Sequence, residues 1–118
     1  MAIIHANDNN FIELTSTDTV LVDFYADWCG PCKMLSPILE DLANDRSEIK
    51  IVKVNVDEAH DTAKKFGVMS IPTIVLLKNG QLVDKRIGLC SKDTLVEMIN
   101  QWLQLLVQGQ PVLALPYI

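Results

Sequence analysis

Residues 20–32 read "VLVDFYADWCGPC", and the change of character along this stretch decides how the chain folds. Val20 to Ala26 is a β-branched and aromatic run, the composition of a strand buried on both faces, interrupted only by Asp23. Behind Trp28 come two thiols, Cys29 and Cys32, spaced around Gly30 and Pro31. Beyond them Met34, Leu35, Ile38, Leu39 and Leu42 recur at three- and four-residue spacing, which predicts an amphipathic helix from Pro31 to about Asp45, kinked at Pro37. The thiols therefore stand at a strand-to-helix junction.

Working outward, "IKIVKVNV" over Ile49 to Val56 reads as a second strand, and Asp61 to Phe66 as a short helix closed by Gly67. On the N-terminal side, Asp8 to Leu14 reads as a short helix with Asp8 as its cap, preceded by a first strand around His5. Ile74 to Leu77 and Leu82 to Ile87 flank Asn79-Gly80, the pair that supplies positive φ angles to a tight hairpin turn. Ser91 caps a last helix whose Leu95, Ile99, Trp102 and Leu103 cover one side of the sheet. The class is α/β: a central mixed β-sheet flanked by helices on both faces.

Composition narrows the function. The chain carries 15 acidic against 10 basic residues with no basic cluster, which argues against nucleic acid and anionic membranes as partners. No segment has the roughly 18 apolar residues of a membrane span, and the start "MAIIHANDNNF" lacks the pattern of an export signal, so the expected location is the cytoplasm. In a reducing compartment a close cysteine pair points to catalysis or metal binding rather than to a structural cross-link. One domain over 1–108 is expected, followed at 109–118 by an apolar extension that packs back on the domain, meets a partner or second subunit, or stays loose.

At the junction the chemistry is directional. Cys29 lies just before the helix, where unpaired N–H groups and the positive end of the helix dipole favour its thiolate, so Cys29 is the expected nucleophile. Cys32, one turn inside, is the expected resolving thiol. Gly30 permits close backbone approach, and Pro31 fits the first turn because its missing donor would be unpaired there anyway. Taken alone, a C-x-x-C is also half of a zinc site or two ordinary buried cysteines, and zinc would need two further ligands from Cys90, His5 and His60.

The segments "VDFYADWCGPCKMLSPILEDLA", "VKVNVDE", "SIPTIVLLKNG" and "GLCSKDTL", at matching intervals over about residues 3–107, resemble the thioredoxin family. The resemblance implies the thioredoxin fold and a dithiol-disulfide oxidoreductase that reduces protein disulfides through Cys29 and Cys32, needs no metal or organic cofactor, and is regenerated by a thioredoxin reductase. It assigns Asp23 to a buried acid that exchanges a proton with Cys32, where the residues alone would also allow a solvated strand edge. Lys53, by default a surface lysine, aligns with the neighbour that modulates that acid. It also implies a cis bond at Pro72 and an apolar landing surface of Trp28, Ile71, Pro72, Gly88 and Leu89. Tyr25 departs from the family by standing where many thioredoxins carry Trp. Cys90 reads as a small buried hydrophobe, or, if exposed, as a regulatory thiol. The rivals are an oxidase or isomerase, which the Pro31 between the thiols disfavours, and a non-redox binding module, which would keep binding in Cys29→Ser.

Overall fold

In the computed structural model, which describes residues 3–107, the apolar run forms a strand at Thr19–Tyr25 whose first six residues are all buried. The apolar extension expected at 109–118 lies outside the described residues. In chain order the elements are β1 (Ile4–Ala6), α1 (Phe11–Thr15), β2 (Thr19–Tyr25), α2 (Gly30–Asp45), β3 (Lys50–Asn55), α3 (His60–Lys65), β4 (Thr73–Lys78), β5 (Gln81–Ile87) and α4 (Lys92–Val107). Strand order is β1-β3-β2-β4-β5; β1, β3 and β2 run parallel, while β4 and β5 are antiparallel to their neighbours. The parallel pair β2 and β3 needs a crossover, and α2 supplies it.

Side-chain alternation along β2 divides the interior in two. Leu21 joins Leu35, Leu39 and Leu42 of α2 and Leu95, Met98 and Ile99 of α4 on one face. Val20, Val22 and Phe24 join Phe11 of α1, Ala63 of α3 and Phe66 on the other. There the rings of Phe11 and Phe24 each lie 5.5 Å from that of Phe66. Helices on both faces thus bury the strand from both sides. Helix α2 continues through Pro37 as one element.

The hairpin turn forms where Asn-Gly directs it, with φ of 51° at Asn79 and 82° at Gly80. Ser91 caps α4, its Oγ accepting from the Thr94 N–H at 3.1 Å. The first helix departs from expectation. It is confined to Phe11–Thr15, and Asp8 does not cap it. The Asp8 carboxylate instead reaches the N-terminus of α3, where Oδ1 accepts from Thr62 N at 2.9 Å and from Thr62 Oγ1 at 2.6 Å. These bonds favour the ionised acid and hold its pKa below the usual carboxylate range.

No helix among the described residues is long and apolar enough to cross a membrane. Two variants test this packing by urea unfolding. Phe24→Ala, at a fully buried position, should cost about 3–5 kcal/mol. Asp8→Ala should lower the midpoint near pH 7, with Asp8→Asn losing less because it keeps an acceptor; the difference between wild type and Asp8→Ala should shrink as acid protonates Asp8.

Candidate active site

Strand β2 ends at Tyr25 and α2 begins at Gly30, so Cys29 occupies the N-cap position with extended backbone, φ −89° and ψ 113°. Its Sγ takes the place of a capping oxygen and accepts from the Cys32 N–H at 3.2 Å. Cys29 and Cys32 are joined in a disulfide across 5.3 Å between Cα atoms. Pro31 sits in the first turn, where no donor is missed. Apart from its chain neighbours and its own helix backbone, a Cβ added at Gly30 would meet no atom of the described residues within 4 Å, so the glycine answers no packing demand from them.

The Ile71–Pro72 peptide is cis, and Ile71 O lies 3.8 Å from Cys29 Sγ, a contact rather than a hydrogen bond because the bridged sulfur carries no proton. Gly88, at φ +95°, donates its N–H to Pro72 O at 2.8 Å, which ties the loop after β5 to the proline. Trp28 is 70% exposed, and its Nε1–H donates to Asp57 Oδ2 at 2.9 Å, fixing a large apolar face towards solvent. Leu89 is exposed as well, whereas Pro72 itself is buried. Met69, two residues before Ile71, is 97% exposed. Nothing in local periodicity marks it; only its place beside Ile71-Pro72 could have.

Behind the sulfurs, the strand registers line up His5, Lys53, Asp23, Ile74 and Arg86 in one row across the five strands. Asp23 has no exposed surface, and neither carboxyl oxygen has a hydrogen-bond partner among the described residues. Lys53 Nζ stands 3.9 Å from Asp23 Oδ2, 4.5 Å over the Tyr25 ring, and donates to Ser36 Oγ at 2.9 Å. Burial pushes the Asp23 pKa up to about 6, and the Lys53 charge only partly opposes it. A cleft of about 270 Å³, with room for several waters, opens beside this cluster; Cys32, Ser36, Lys53, Tyr25 and His5 are among the residues that line it, and Asp23 is not.

The remaining candidates separate. Cys90 is buried and unbridged, its thiol pushed up by burial, with Sγ 3.6 Å from Gly88 O. His5 touches the site only at the cleft rim, its ring edge-on to Tyr25 at 6.5 Å; His60 is the exposed first residue of α3. Among the described residues, no group of three His, Cys, Asp or Glu side chains is placed to hold a metal ion.

A reversible S–S bond seated on a helix N-terminus is a device for exchanging disulfides with other molecules, which sets the protein among the thiol-disulfide oxidoreductases. Comparison with known proteins narrows the class. The family model for thioredoxin matches residues 2–101. The chain is 49% identical to a thioredoxin of Bacillus subtilis over 104 residues, 87% of this chain and 100% of that one. It is 50% identical over 92 residues to a thioredoxin of Chlamydia caviae, covering 78% of this chain and 90% of the relative. The chain belongs to the thioredoxin family, and it is a protein-disulfide reductase working by thiol-disulfide exchange through Cys29 and Cys32.

The Asp23 geometry has a signature in stability. A carboxyl whose pKa rises from 3.8 to about 6 on folding binds its proton more tightly in the native state. Stability is therefore fully present below pH 3.8 and falls as pH rises through about 6. The loss is about 3 kcal/mol at most. Urea unfolding of the oxidised protein at a series of pH values should show this fall, and Asp23→Asn should lack it.

Proposed function

We propose that the protein reduces disulfides of protein substrates in the cytoplasm, with Cys29 as the attacking and Cys32 as the resolving sulfur and Asp23 as the base for Cys32. The Cys29 thiolate attacks one sulfur of a substrate disulfide in line, the other leaves as a thiolate, and a mixed disulfide forms. Cys32 then passes its proton through water to the Asp23 carboxylate and attacks Cys29 Sγ. The second substrate thiolate departs, two electrons have moved to the substrate, and a 29–32 disulfide remains for a thioredoxin reductase to reopen.

The observation that carries this reading is the Cys32 N–H donated to Cys29 Sγ at the N-cap, which supports Cys29 as the sulfur whose negative charge the helix would stabilise once the bridge opens. A carboxyl with a pKa of about 6 suits the second proton transfer, because a base is most effective when its pKa lies near working pH. Lys53 modulates it from 3.9 Å.

For the substrate surface we assign Trp28, Gly30, Pro31, Ile71, Pro72, Gly88 and Leu89, and add Met69. This reading is supported by large apolar side chains held in solvent around a nearly buried disulfide. An extended substrate segment would pair with the backbone at Ile71, in the manner of an added strand.

Insulin disulfide reduction, driven by NADPH and a thioredoxin reductase, tests the assignment. Cys29→Ser should abolish turnover, Cys32→Ser should accumulate a mixed disulfide at Cys29, and Cys90→Ser should keep at least half the wild-type rate. Mixed disulfide trapped at Cys32 in Cys29→Ser, rather than at Cys29 in Cys32→Ser, would reverse the roles.

A further inference from the structure

Ser36 lies in the middle of α2, four residues and one turn beyond Cys32, on the same side of the helix. Serine is a weaker helix former than alanine there, which raises the question of what its hydroxyl does. It accepts the one hydrogen bond found for the Lys53 ammonium among the described residues, at 2.9 Å. Lys53 and Asp23 are direct register partners on neighbouring strands, which puts their side chains next to each other on one face of the sheet. No hydrogen bond joins them. The ammonium stands 3.9 Å from Oδ2, beyond hydrogen-bond distance, and both Asp23 oxygens stay without a hydrogen bond among the described residues. A neutral hydroxyl holds a cation that a carboxylate would bind more strongly. The Tyr25 ring, 4.5 Å from the ammonium, holds it from a further side.

We propose that Ser36 is a positioning residue for the exchange reaction: its hydroxyl holds the Lys53 ammonium off Asp23, keeping the buried carboxyl able to take up a proton. The catalytic part of this inference rests on Asp23 serving as the base for Cys32; the placement of Lys53 does not. Other groups around Asp23 offer no substitute. From β4 it faces apolar Ile74, and beyond that Arg86 of β5 is engaged with Asp84 at 3.4 Å. From α2 come Cys32, and at the cleft rim Lys33; from β1 comes His5, and from the loop after β2 the exposed Asp27. Among the described residues, Lys53 is the one cation within 4 Å of the Asp23 carboxyl.

The test is a carboxyl-carbon NMR titration of Asp23 in wild type, Ser36→Ala and Ser36→Thr, backed by the pH profile of mixed-disulfide release. With the hydroxyl removed, the ammonium closes on the carboxylate, and the Asp23 pKa should fall from about 6 by roughly one pH unit, a tenfold change in proton affinity. Ser36→Thr keeps the hydroxyl and should titrate like wild type. In a Lys53→Met background, Ser36→Ala should leave the titration where Lys53→Met alone puts it. An unchanged or raised pKa in Ser36→Ala overturns the proposal, a rise meaning that Ser36 anchors Lys53 near the carboxyl instead. So does a shift that persists without Lys53. If the NMR value falls while the acid limb of mixed-disulfide release stays in place, the placement of Lys53 by Ser36 stands and the role of Asp23 as base fails.

Discussion

A single backbone amide aimed at a sulfur organises this molecule. For the Cys32 N–H to reach Cys29 Sγ at 3.2 Å, α2 must begin one residue after Cys29, and β2 must end close enough to deliver the chain into that cap. The middle of the sheet meets this requirement. β2 has neighbours on both edges and packed helices on both faces, so its last residues are held from four directions. Pro31 fits the first turn without costing a needed donor, while the Ile71 carbonyl, 3.8 Å from the sulfur, is an acceptor and adds no stabilisation to a negative charge there.

The same strand carries the opposite kind of feature. Asp23 is a charge-bearing side chain with no exposed surface, and its ionised form costs about 3 kcal/mol relative to an unfolded chain, a large share of the ~5–15 kcal/mol that holds a typical domain together. A methyl-bearing residue would pack there without that cost. That cost is compatible with the proton-accepting role proposed for it beside Cys32. The elements around it, Lys53, Ser36 and Tyr25, read as a device that limits rather than maximises its stabilisation.

Much of this was legible in the residues. Apolar periodicity over Met34 to Leu42, the β-branched runs and Asn79-Gly80 depend on local rules, and the structure follows them to within a residue or two for most elements. The thiol pair's chemistry was legible for the same reason, since a helix N-terminus acts only on its nearest residues. Hidden were contacts between residues far apart in the chain. Asp8 looked like the cap of the helix beside it and turned out to cap α3, 54 positions away, because a capping carboxylate carries no mark of which helix it serves. The Lys53–Ser36 bond and the Trp28–Asp57 bond needed strand order and helix rotation together. Met69 stayed unnoticed because exposure of one apolar side chain in a loop follows from tertiary placement alone.

The central claim is that the start of α2 stabilises charge on one particular sulfur. The most direct measurement is an ultraviolet thiolate titration of the reduced protein and of Cys32→Ser, with alkylation rates followed at each cysteine. The account expects Cys29 to ionise at least one pH unit below the ~8.5 of an unperturbed cysteine and to be alkylated well ahead of Cys32. Ionisation of Cys29 at that ordinary value, with both thiols alkylated at equal rates, would contradict it.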